Sequence, residues 1–135
     1  MCTAVKRRVL LIHMLYVGFG GAVGSMLRHA VATYVQRHDV NFPIGTFTVN
    51  VVGCLAIGFL SEHLEGSSLD PRVRSAILVG LLGGFTTFST FSLDTLKLAE
   101  SRAYGLAMLN IIGSVVTCVA AAGIGYRLAK WWVSI

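Results

Sequence analysis

From Gly83 the chain reads Gly83-Gly84-Phe85-Thr86-Thr87-Phe88-Ser89-Thr90-Phe91, setting two glycines, four hydroxyls and three phenylalanines inside an apolar segment. Hydroxyls and the electropositive edges of aromatic rings are both partners for a small anion. Adjacent glycines weaken a helix, and backbone groups freed at membrane depth are tolerated only where they are buried in protein or line a cavity. The stretch therefore predicts the working part of a pore, with a local break around Gly83-Gly84 and Thr86-Thr87. Phe85, Phe88 and Phe91 recur every third residue, so they lie along one slowly turning face. A stripe of that kind also arises where a helix meets lipid or a neighbour; the interleaved Thr86, Thr87, Ser89 and Thr90 favour the pore. Asp94, one turn past Phe91, is placed to cap a polar route or to face water.

Other polar residues recur at helical spacing. Thr46 and Asn50 are four apart, with Gly53 three further on, so a hydroxyl and an amide share one narrow face. An amide deep in a span requires a partner, and interhelical hydrogen bonding alone would account for it. Stacked with Thr46 on a small-residue stripe, Asn50 reads better as part of a track. Asn110, Ser114 and Cys118 repeat at intervals of four and mark a second face of this kind. Arg28 has two readings: an anchor snorkelling to the membrane boundary, or a fixed donor organising a vestibule.

The elements that must position these groups are membrane helices. Of the 135 residues, 55% are hydrophobic and 13% charged, with mean hydropathy +0.74, against about 25% charged in an average soluble domain. Four apolar stretches, near Val9–Leu27, Ile44–Leu60, Ser75–Leu93 and Ala103–Tyr126, are each close to the roughly 17–25 residues that span a bilayer. The predicted fold is all-α: one four-helix transmembrane domain over residues 1–135, with a short tail over about 1–8. Gly20-Gly21-Ala22-Val23-Gly24 lets another helix approach the first, which is expected to end around Ser25–His29. Asp39, Asn41 and Pro43 mark the turn into the second helix. Asp70-Pro71 reads as a cap and first helical residue, Gly80 and Gly84 form a second small-residue pair, and Trp131 and Trp132 close the chain as an interfacial anchor.

Charge and cysteines exclude several classes. The +5 formal charge is scattered over ends and turns, with no basic run beyond Lys6-Arg7-Arg8, so nucleic acid is not an expected partner. With four spans, Lys6, Arg7, Arg8, Arg72, Arg74, Arg127 and Lys130 share one side, and Arg28, Arg37, Lys97 and Arg102 lie toward the other. Seven against four is a weak orientation bias, compatible with insertion in both directions. Cys2, Cys54 and Cys118 have no metal-ligand spacing. No catalytic triad, nucleotide loop or embedded carboxylate pair is present, which argues against an enzyme. A cation route would favour carboxylates or rings of carbonyls, whereas neutral donors let a strongly hydrated anion both enter and leave.

Three motifs, Gly20-Gly21-x-x-Gly24-x-x-x-Arg28, Gly45-Thr46-x-x-x-Asn50-x-x-Gly53 and Gly83 to Phe91, together resemble the CrcB/Fluc family of fluoride channels over nearly the whole chain. The resemblance implies an antiparallel, dual-topology homodimer in the plasma (inner) membrane, with two passive fluoride pores that let cytoplasmic fluoride leave the cell. Fluoride and membrane lipid would be its partners. By similarity, Asn50 donates to fluoride, Phe88 and Phe91 turn ring edges to it, and Ser89, Thr90, Thr46, Ser114, Asn110 and Arg28 belong to the pore or its entrance. Backbone carbonyls of Gly83 and Thr86 would hold a structural sodium ion at the dimer axis. Asp94 stands where the family often has glutamate, and Asn110 where it often has tyrosine. A small proton-coupled multidrug exporter is the alternative, but it requires a carboxylate in the first helix, and Val9–Leu27 has none. A non-transporting assembly factor would instead tolerate replacement of Asn50, Phe88 and Phe91.

Overall fold

The structure, a computed structural model, describes residues 2–36 and 41–134, with side chains from residue 7 onward. Among the described residues every regular element is helical. α1 spans Cys2–Val35 and α2 spans Ile44–His63. The third span is composite: α3 (Pro71–Ser75), a π-helical stretch (Ala76–Leu82), α4 (Gly83–Phe85), an extended pair at Thr86-Thr87, and α5 (Phe88–Glu100). α6 covers Tyr104–Val133. Four helical segments, Arg7–Val35, Ile44–His63, Pro71–Glu100 and Tyr104–Val133, are long and apolar enough to cross a membrane. The chain is a multi-pass membrane protein.

Two boundaries differ from the sequence expectation. α1 continues through Ser25–His29 to Val35, and it begins at Cys2 rather than after a tail. The reason is local: neither region holds a proline, and the residues from Cys2 to Arg8 include Ala, Lys and Arg, which favour helix. Asp39 and Arg37 lie outside the described residues. Pro43 stands immediately before α2, where its carbonyl accepts from Phe47 N–H at 3.0 Å. Asp70 caps α3 as expected, its carboxylate accepting from Arg72 N–H at 2.8 Å, with Pro71 first in the helix.

The described residues are organised as two pairs of helices in close contact. α1 lies against the π-helical stretch and α4, and α6 packs most extensively on α2. In the first pair, a β-carbon at Gly20 would run into the carbonyl of Ala76, and one at Gly24 into that of Leu81. In the second, Gly58 meets Ala122 backbone and Gly125 meets Leu55 backbone. Membrane helices have no water to expel from between them, so close backbone contact of this kind supplies the dispersion energy that holds them together. Residues at 17–20 face 76–80 and residue 24 faces 81–85, so α1 and the third span run parallel. Many large apolar side chains point outward, among them Leu15, Phe19 and Val119.

Candidate functional site

The break in the third span lies at Thr86-Thr87, within the stretch where the sequence predicts it. Gly83 and Gly84 are helical, whereas Thr86 (φ −80°, ψ 157°) and Thr87 (φ −151°, ψ 117°) are extended. Asn50 holds this break from α2. Its Nδ2 donates to Thr87 C=O at 3.0 Å, and its Oδ1 accepts from Thr87 N–H at 2.8 Å. The two bonds fix the orientation of the amide, because a flipped side chain would set donor against donor and acceptor against acceptor. One side chain thus satisfies both backbone groups of a residue removed from the helical ladder, which membrane burial requires. Gly53 leaves room for the arrangement: a β-carbon there would strike the Thr86 methyl and approach the Phe85 ring.

Thr87 also starts the next helix. Its Oγ1 accepts from Thr90 N–H at 3.2 Å, an N-cap for α5, and lies 3.1 Å from both the Ser89 and Thr90 hydroxyls. The N-terminus of α5 therefore opens at the break, and a helix N-terminus carries unpaired N–H groups and a partial positive charge. On the other side, Arg28 Nη1 donates to Thr86 C=O at 3.3 Å. The guanidinium thus reaches the backbone of the third span. Thr86 keeps its own amide and hydroxyl on Leu82 C=O, each at 3.0 Å.

Phe88 and Phe91 separate sharply. Phe88 is 78% exposed on the surface of the chain and Phe91 only 8%, yet their ring centroids lie 5.3 Å apart at 46°. Phe85 is cut from their face by the break and rests over Gly53 instead. With Asn50, Thr87 and Ser114, the two rings line a groove of about 220 Å³ that also receives Thr86, Val115, Cys54 and Cys118.

A larger cavity of about 730 Å³ opens one turn away, lined by Thr46, Asp94, Lys97, Gln36 and Asn41 among others. Thr46 Oγ1 donates to Asp94 Oδ2 at 2.7 Å. Asp94 thus ties α5 to α2 in the wall of the larger cavity. Gln36 braces the rim, donating to Phe42 C=O at 3.2 Å and accepting from Gly45 N–H at 3.1 Å. Thr46 and Asn50, stacked on one face of α2, thus contribute one residue to each cavity.

Asn110 does not line the groove. Only 1% exposed, it donates to Thr95 Oγ1 at 2.8 Å and accepts from Ser114 Oγ at 3.3 Å, while Thr95 Oγ1 donates to Phe91 C=O at 2.8 Å. It joins α6 to α5 behind Phe91. Sequence reasoning passed over Thr87 and Thr95 as individuals. A hydroxyl directly before a helix start is a recognisable cap signal that would have found Thr87; Thr95 emerges only from the packing of α5 on α6.

Comparison with known proteins agrees with this architecture. Residues 15–126 match the family described as CrcB-like protein, Camphor Resistance (CrcB). A protein of Sulfurovum sp. named fluoride-specific ion channel FluC is 42% identical over 118 residues, covering 87% of this chain and 93% of the relative. Proteins of the same name from Opitutus terrae (44% over 119 residues, 85% and 90% covered) and Methylobacillus flagellatus (40% over 121 residues, 87% and 94% covered) are similar over comparable lengths.

Proposed function

This chain belongs to the CrcB family, and we propose that it is a passive fluoride-selective ion channel. The observation that carries the reading is the Asn50-held break, where a helix N-terminus, an amide, hydroxyls and two aromatic rings border one groove. Relatives at about the same length carry the name fluoride-specific ion channel FluC.

Fluoride is small and binds water strongly, so a route must replace its hydration with donors. An asparagine amide has two N–H groups; one is spent on Thr87 C=O, which leaves the second for the ion. The Ser114 hydroxyl lines the same groove, and Ser89 and Thr90, outside its lining but hydrogen-bonded to the Thr87 hydroxyl, would extend the set. Phe88 and Phe91 offer ring edges, whose positive rim attracts an anion without the tight hold of a fixed charge. The partial positive charge at the start of α5 has the same sign preference. Entering ions would pass from the larger cavity by Thr46 to Asn50, with Arg28 holding the far side of the break through Thr86. Binding by neutral groups is strong enough for dehydration and weak enough for release.

The outward position of Phe88 and the apolar outer surface support a second copy of the chain completing each route. A two-fold antiparallel pair would repeat the site, giving two pores, and the lipid bilayer would cover the rest. The carbonyls of Gly83 and Thr86 fit a structural sodium ion in such a pair. Thr87 N–H, the usual helical donor to Gly83 C=O, is diverted to Asn50, and the extended Thr86 turns its carbonyl out of the helix with one lone pair beside Arg28. When bound, the ion would supply a positive charge for these carbonyls to coordinate; the chain's own part is the Asn50-held break that leaves them outside the helical ladder.

Fluoride efflux from liposomes containing the purified protein tests the channel. Rapid loss of fluoride with chloride retained is the expected result, and equal loss of both would contradict selectivity.

A further inference from the structure

Two thiols stand in the wall of the groove. Cys54 lies one turn beyond Asn50 on α2, and Cys118 one turn beyond Ser114 on α6. Both are free and half-buried, and both line the same cavity as Phe88, Phe91 and Val115. The helices that carry them meet backbone to backbone at Gly58 and Ala122, each one turn further on. That contact sets the two preceding turns side by side, so Cys54 and Cys118 stand on neighbouring turns of the same groove wall.

A thiol is a weak hydrogen-bond donor and a poor substitute for water around a hard anion. It is a strong ligand for soft cations, and a thiolate pair favours them over hard ones. We infer that Cys54 and Cys118 form a two-sulfur site for a soft d10 cation of the mercury(II) kind, and that the bound ion obstructs the groove. The balance is simple: two S–H bonds break, two metal–sulfur bonds form, and two protons pass to solvent, with no change of oxidation state. The product is a neutral bis-thiolate complex, which an apolar wall tolerates far better than a lone thiolate. The obstruction, though not the binding, rests on the groove being the fluoride route.

The test uses full-length protein carrying Cys2→Ala, so that the thiol outside the span does not compete. One equivalent of mercuric ion is added, excess monothiol follows, and retained mercury and its sulfur-to-metal absorption are measured after gel filtration. The site predicts about one mercury retained per chain, since two sulfurs together outcompete a monothiol. Cys54→Ala and Cys118→Ser, each checked for helical content and elution volume, should each lose that retention. In liposomes, mercury should slow fluoride efflux of the parent about tenfold or more, equivalent to at least about 1.4 kcal/mol of barrier, and a dithiol should restore it. Equal retention by either single variant, no retention by the parent, or unimpeded efflux with mercury held would each overturn the inference. Absence of fluoride efflux before metal is added would strike the channel reading instead, while retention would still decide the two-sulfur site.

Discussion

Replacing Asn50 by Asp would keep the acceptor for Thr87 N–H and set a carboxylate oxygen against Thr87 C=O, where an N–H now donates. The break would lose one bond and the groove its spare amide donor. Fluoride efflux should fall by about 100-fold or more, for a barrier increase of about 3 kcal/mol, and liposome flux checks it. Phe88→Ile is the complementary case. The ring is mostly outside the subunit, so unfolding free energy should change by less than about 0.5 kcal/mol while efflux collapses. Phe91→Ala, by contrast, should cost about 3–5 kcal/mol of stability because the ring is buried. Denaturation in detergent separates the two. At this scale the sequence was informative about residue types: Thr46, Asn50, Ser114, Phe88 and Phe91 do border the two cavities. It was less informative about partners. Asn110 shares a helical face with Ser114, but burial against Thr95 turns it into a joint between α5 and α6. Spacing along one helix carries no information about what the next helix presents.

The composite third span shows how an element can be made by what it lacks. Ala76–Leu82 relaxes into π-helix, Gly84 rests on Gly21, and the ladder gives way only where Asn50 and the Thr87 side chain can take over its bonds. Thr87→Val preserves shape and removes the cap, so it should destabilise the subunit by about 1 kcal/mol and slow efflux through disorder at the start of α5. Hydrogen exchange at the amides of 88–91 would register it, and unchanged protection there would contradict the role given to Thr87. Gly58→Val should be more damaging, since its side chain would meet Ala122 backbone with no flexible neighbour to yield. Loss of folded protein on gel filtration is the expected outcome. The break was legible from the glycines and threonines, and it falls on the threonine half of that stretch. Glycine permits irregular backbone without demanding it, whereas the paired bonds from Asn50 select the residue that leaves the helix. The extension of α1 to Val35 was hidden because polar residues such as Ser25, Arg28 and His29 look like an ending by hydropathy while costing a helix little.

At the scale of the whole molecule, four spans, short connections and an apolar exterior follow from hydropathy alone, and the structure agrees. The pairing of helices was partly legible too, since Gly20, Gly24, Gly80 and Gly84 all lie at the contact between α1 and the third span. Assembly depends on features beyond one chain. The seven-to-four distribution of Lys and Arg is a weak bias compatible with insertion in both orientations, and an antiparallel pair requires C-terminal reporters for the two sides of the membrane both to be active. Adding lysines beside Arg102 should move the balance, and a reporter pattern fixed to one side would exclude an antiparallel homodimer. The most direct test of the channel itself compares fluoride and chloride efflux from liposomes holding purified protein, with Asn50→Asp measured alongside. Fast fluoride efflux, retained chloride and loss of flux in a folded Asn50→Asp protein are predicted. No fluoride efflux from folded parent protein, or undiminished flux in Asn50→Asp, would contradict the account.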